Sequence, residues 1–153
     1  MAVYLVQHGK SLPKDQDPDQ GLSPQGVEES ERIAGVAAAY GVKVSQIRHS
    51  GKTRALQTAR IFAKALCPPD GVEETTGLKP MDDVEVFAPI LENTPGLMIV
   101  GHLPFMERMA SFLITGRAEH PVFRFQNGGI VCLDKHPDTN TWVVKWALMP
   151  NVG

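Results

Sequence analysis

The sequence has only two cysteines in 153 residues, Cys67 and Cys132, and neither belongs to a C-x-x-C pair. A disulfide framework is not expected, and the two thiols read as reduced side chains packed as small hydrophobes. No Cys or His pair shows metal-ligand spacing, so no zinc site and no other metal is expected. No apolar run approaches the roughly 20 residues that a membrane span needs. The opening stretch, MAVYLVQHG, is apolar for five residues and carries no basic leader, so it does not read as a signal peptide. Charge of one sign is also missing: 15 Lys and Arg face 17 Asp and Glu, a formal net charge of −2. Neither nucleic acid nor an anionic membrane is therefore expected as a partner, and any positive charge that matters is local. Repeats, low-complexity stretches and linkers are lacking as well. What is present is an ordinary globular composition, 42% hydrophobic and 21% charged. A chain of this length buries roughly 70% of its unfolded surface without a staple. The expectation is one cytoplasmic domain over residues 1–153.

Along the chain, Ala2–Val6 (AVYLV) reads as a buried strand that breaks at Gln7-His8-Gly9. The Pro- and Asp-rich residues 10–21 read as a mobile loop. Ser23 followed by Pro24 marks a helix start, an N-cap hydroxyl and a proline at the first helical position, and Gly41 its end. Val42–Arg48 alternates as a second strand. Ser50 reads as the cap of a helix from Lys52 to Leu66, which Pro68-Pro69 stops. Val72–Thr75 reads as a short strand, and Asp82 or Asp83 caps a third helix that reaches Glu92 across Pro89. Leu97–Val100 (LMIV) is another buried strand, ending at Gly101-His102, and Pro104 opens a fourth helix closed by Gly116. Three more strands are expected at Pro121–Phe125, Gly129–Leu133 and Thr141–Leu148, the last two as a hairpin. Trp142 and Trp146 read as packing residues on one strand face. Strands alternating with helices imply an α/β fold, a three-layer α/β/α sandwich. Its central sheet is expected to be mostly parallel, with antiparallel strands near the C-terminus.

Open α/β sheets bind ligands beyond the carboxyl ends of their strands. His8 and His102 both sit there, each beside a glycine that allows close backbone approach. Arg54, one turn into the following helix, reaches over the same rim. Two imidazoles and a guanidinium form a small cationic pocket whose donors suit a phosphoryl group, and the helix starts after Ser50 and Leu103 add N–H groups of the same sign. His49 is a candidate for the rim; His120 and His136, beside prolines in turns, read as solvated.

Four segments resemble, in order, those of the histidine phosphatase superfamily. LVQHGKS is similar to its R-H-G signature and GLSPQGVEES to its L-[ST]-x-x-G-x-x-x-[AS] segment. SGKTRALQTA resembles S-x-x-x-R-A-x-x-T-A, and IVGHLP resembles the second-histidine motif. The short length and the lack of a capping insertion look most like SixA-like phosphohistidine phosphatases. The resemblance implies a phosphoglycerate mutase-like fold and a phosphatase without a cofactor. It implies His8 as the nucleophile, Arg54 as the clamp on phosphate oxygens and His102 as a donor to developing charge. Such chemistry needs in-line positioning and charge stabilisation, which a neutral imidazole and these donors supply.

One position departs from the pattern. The family's first motif begins with arginine, where this chain has Gln7. A neutral amide replaces a charged, bidentate fork, a loss of about 2–4 kcal/mol on the transition state. Asp82 and Asp83 fall near the place of the family's general acid but serve more economically as helix-start residues, and Glu73 and Glu74 lie in the candidate strand. A phosphoramidate needs less acid help, because its leaving imidazole can be protonated before departure. The expected substrate is a phosphohistidine-bearing protein, with inorganic phosphate or sulfate able to occupy the same pocket of Gln7, His8, Arg54 and His102. The alternatives are a broad small-molecule phosphomonoesterase and a non-catalytic phosphate or phosphoprotein binder weakened by Gln7.

Overall fold

The computed structural model describes residues 2–152, so the outermost residues of the expected domain, Met1 and Gly153, lie outside the described residues. Six strands and four helices follow one another as β1 (Val3–Gln7), α1 (Pro24–Ala39), β2 (Gln46–His49), α2 (Thr53–Leu66), β3 (Val72–Glu74), α3 (Val84–Asn93), β4 (Leu97–Gly101), α4 (Phe105–Thr115), β5 (Ile130–Lys135) and β6 (Trp142–Leu148). They form one sheet in the order β3-β2-β4-β1-β5-β6. The first four strands are parallel, and β5 and β6 add an antiparallel edge. The expected three-layer α/β sandwich is the observed one.

Alternation along β1 shows why. Val3 and Leu5 pack with Phe87 and Leu91 of α3 and Met106 and Met109 of α4. Tyr4 and Val6 face the other way, toward Ile33 and Ala37 of α1 and Ala55 and Phe62 of α2. A strand buried on both faces needs apolar residues at every position, and both β1 and β4 are buried throughout. The helix signals act as expected. Ser23 Oγ accepts the Gly26 N–H at 3.0 Å at the start of α1, and Gly41, at φ +75°, follows its end. Asp83 caps α3, which runs through Pro89 to Asn93.

Several expectations are corrected. The second strand starts at Gln46, not Val42, because its neighbour β4 begins only at Leu97, the partner of Gln46. Residues 42–45 are tied outside the ladder, Tyr4 donating to the Lys43 carbonyl and the Ser45 N–H to that of Gly96. Pro121–Phe125 is not a strand; Phe123 and Phe125 stack edge to face, 5.6 Å apart, and the Phe125 N–H goes to Glu107 of α4. Trp142 and Trp146 do not share a face. A register shift opposite Cys132 and Leu133 pairs those residues with Trp146 and Val144, which inserts one extra residue into β6. Trp142 therefore joins the α3–α4 side and Trp146 the α1–α2 side. The loop at 10–21 is pinned: Ser11 bridges Leu22, the Asp17 carboxylate accepts the Asp19 and Gly21 N–H groups, and Gln57 of α2 accepts that of Leu22. Among the described residues, no helix is long and apolar enough to cross a membrane.

Candidate functional site

His8 leaves the end of β1 with its backbone held on both sides. Its N–H donates to the Gly101 carbonyl at 2.9 Å, and its own carbonyl accepts from Asn127 Nδ2 at 2.9 Å. The ring is fixed by partners that allow one tautomer. Nδ1 lies 2.7 Å from the Gly9 carbonyl, which can only accept, so Nδ1 carries the proton. Arg54 Nε, which can only donate, points at Nε2 from 3.3 Å, so Nε2 presents its lone pair. Burial pushes the His8 pKa down to about 4; the Gly9 hydrogen bond opposes the shift, and the Arg54 charge adds to it. The ring is neutral at physiological pH.

Arg54 sits in the first turn of α2, where Thr58 ties it to the histidine. The Thr58 hydroxyl donates to the Arg54 carbonyl at 2.8 Å and accepts the Gly9 N–H at 2.9 Å, and Thr58 itself is fully buried. His102 follows β4, the parallel neighbour of β1, and is buried. Its ring centroid lies 5.0 Å from that of His8, with the planes at 56°. Its Nε2 is 2.6 Å from Ser50 Oγ, while its Nδ1 is buried without a hydrogen-bond partner. Burial first, then the positive charges of His8, Arg54 and Lys52, lower its pKa to about 3. Gln7, the last residue of β1, pairs with Gly101 in the ladder, and its Oε1 is likewise buried and unpartnered.

The backbone around His8 is pressed against α1. A Cβ on Gly9 would lie 2.6 Å from Ser30 Oγ, and one on Gly26 would collide with the Lys10 carbonyl. These two contacts account for Gly9 after the histidine and for Gly26, the last residue of GLSPQG, in the first turn of α1.

His8, Arg54 and His102 thus meet at the strand ends. His49 faces elsewhere: its Nδ1 accepts the Gly51 N–H at 3.1 Å, and its charged neighbours are Glu74 and Arg60, its pKa being lowered chiefly by burial. The acidic candidates are engaged locally. Asp83 accepts from the Glu85 N–H, Asp82 from the Lys79 N–H, Glu73 from Gln46 Nε2, and the Glu74 carboxylate lies over Gly51. Three residues were not assigned to the site from the sequence: Ser50, read there as a helix cap, Thr58 and Asn127. Ser50 does not cap α2, whose N-cap is Lys52 without a side-chain bond, because its hydroxyl is drawn to His102. Its place directly after β2, matching those of His8 and His102 after β1 and β4, is the signal that could have found it. Among the described residues, no group of three His, Cys, Asp or Glu side chains could hold a metal ion.

A family model, the histidine phosphatase superfamily (branch 1), matches residues 3–82. No curated protein matches the sequence. The fold is similar to that of the protein histidine phosphatase SixA solved with tungstate: TM-score 0.83, 24% identity, 98% of this chain and 97% of that one covered. A SixA-type protein from Agrobacterium tumefaciens gives a TM-score of 0.78 at 24% identity, with 97% of each chain covered. A mycobacterial glucosyl-3-phosphoglycerate phosphatase, solved with VO3, gives 0.73 at 14% identity, covering 95% of this chain and 97% of that one. At these identities the likeness is one of fold.

Proposed function

Because the chain belongs to the histidine phosphatase superfamily, we propose that it is a phosphohistidine phosphatase acting on a phosphorylated protein in the cytoplasm. The observation that carries this is the His8 ring, neutral, with the Nε2 lone pair turned toward the Arg54 guanidinium. That nitrogen attacks phosphorus as the bond from phosphorus to the substrate imidazole breaks, and the leaving ring departs carrying a proton. Water then attacks phosphorus, releasing inorganic phosphate and returning the electron pair to His8. Arg54 holds the phosphoryl oxygens with its remaining N–H groups, and His102 donates to the charge that develops on them. Gln7 adds a neutral contact where the family pattern has a cation, which favours a slow enzyme. No cofactor or metal enters these steps.

The protein substrate is supported by the short connections of the chain, which place no capping insertion between its strands and helices, and enclosure is what a small metabolite would want. A second reading, a phosphate or phosphoprotein binder without turnover, is favoured by Gln7, a neutral amide where the family pattern has a cation for the transition state. Rapid acid-free quenching after exposure to a phosphohistidine protein tests the choice. The wild type is expected to carry an acid-labile, alkali-stable phosphate that His8→Ala lacks, and to turn over that substrate faster than p-nitrophenyl phosphate. Equal labelling of the two proteins would sink the assignment, and binding without labelling would establish the binder.

A further inference from the structure

The 2.6 Å contact between Ser50 Oγ and His102 Nε2 has no part in the steps above, yet it involves the one ring asked to donate. Resting on the phosphatase reading, we propose that Ser50 is a positioning residue. Its hydroxyl accepts the Nε2–H of His102 and keeps that imidazole in the single tautomer that can give a hydrogen bond to the phosphoryl group.

The choice of tautomer follows from the other nitrogen. His102 Nδ1 is buried without a partner. With the proton on Nδ1, the molecule would contain a buried N–H donor with nothing to receive it, which native proteins rarely tolerate; an orphaned lone pair is the lesser defect. The proton therefore belongs on Nε2, and Ser50 is the acceptor. The ladder explains how the two meet. β2 and β4 are parallel neighbours with His49 opposite Val100, so Ser50 and His102 leave adjacent strand ends together. Among the described residues, the only other donor on this hydroxyl oxygen, the Lys52 N–H, is distant at 3.4 Å and leaves it free to serve the ring.

Tautomer matters here because charge does not. A ring with a pKa near 3 is neutral throughout the physiological range, so it has one proton, and the nitrogen holding it decides whether His102 can donate. A neutral hydroxyl is also a suitable temporary partner. A charged phosphoryl oxygen makes a hydrogen bond roughly twice as strong, so an arriving phosphoryl group takes the Nε2–H over from Ser50.

Long-range proton–nitrogen spectra of histidine-labelled protein test this, the His102 signals being assigned by their loss in His102→Asn. The wild type at pH 7 is expected to show Nε2 protonated and Nδ1 bare, and tungstate is expected to move the Nε2–H signal without changing the tautomer. Ser50→Ala is expected to give a tautomer mixture and about a tenfold lower kcat on a phosphohistidine protein with KM little changed. Ser50→Thr restores both. A wild-type ring protonated on Nδ1 overturns the proposal, as does a Ser50→Ala protein with unaltered tautomer or unaltered kcat. The wild-type spectrum needs neither turnover nor a variant, so it decides the role of Ser50 even where His8 labelling fails, and the labelling decides the reaction whatever the spectrum shows.

Discussion

Around the start of β1, Tyr4, Val42, Lys43 and Trp146 line a groove of 620 Å³, and a second of 740 Å³ runs on past Ser45, Cys67 and Gly96. At the other end of the same strands, Gln7, His8, Arg54 and His102 line neither. The ends differ in how their polar groups are satisfied. At the hollow end the Tyr4 hydroxyl donates to the Lys43 carbonyl and Ser45 Oγ to that of Pro95, while Trp146 stacks near Tyr4 with ring centroids 6.0 Å apart. At the histidine end two buried atoms, Gln7 Oε1 and His102 Nδ1, have no partner, and two imidazoles are held far below their ordinary pKa. Two desolvated imidazoles beside the Arg54 guanidinium, and not open volume, set the histidine end apart.

The contrast is sharpest in anion binding. Arg54→Ala is expected to weaken tungstate or vanadate affinity by about 100-fold, whereas Lys43→Ala, removing a cation from the hollow end, should leave it within about twofold. Calorimetric titration measures both, and comparable losses would reduce the site to diffuse charge. Next comes pH. His8 and His102 have lowered folded pKa values, so below about 6.5 the unfolded chain binds more protons and stability falls as pH drops toward 4 and then 3. Tyr4 is raised to about 12, chiefly by burial, so its contribution is complete below 10 and lost as pH climbs from 10 to 12. One end is acid-sensitive and the other alkali-sensitive. In denaturant titrations His8→Asn should flatten only the acid limb and Tyr4→Phe only the alkaline one. The smallest effect is a gain: Gln7→Arg is expected to raise kcat/KM on a phosphohistidine protein about tenfold, or 1.4 kcal/mol. No gain from an active wild type would show that another group has replaced the missing cation.

The contrast also explains what could be read in the chain. β1 and β4 were legible because burial on both faces leaves an uninterrupted apolar run, and the glycines beside them announced where His8 and His102 emerge. α1 was legible from Ser23 and Pro24, whose roles are local. What escaped depends on partners distant in sequence. Ser50 has the chemistry of a helix cap, and only the pairing of β2 with β4 gives its hydroxyl a better partner in His102. Val42–Ser45 alternates like a strand, but β4 offers nothing to pair with before Leu97. Pro121–Phe125 has strand composition and is held by aromatic stacking and Glu107. The split of Trp142 from Trp146 hangs on one residue inserted into β6. The family match spans residues 3–82, so it takes in His8 and Arg54, while His102 lies beyond it.

The close approach of Gly26 to the Lys10 carbonyl, with Gly9 against Ser30, has a consequence for motion. Local opening in proteins proceeds by contiguous units that share packing. Residues 8–10 have no slack between themselves and the first turns of α1, and Thr58 fastens Gly9 to α2 from the other side. The segment bearing His8 therefore cannot fray by itself. It breathes only when two helices loosen with it, so hydrogen exchange at the Gly9 amide reports on the cooperative opening of that whole layer.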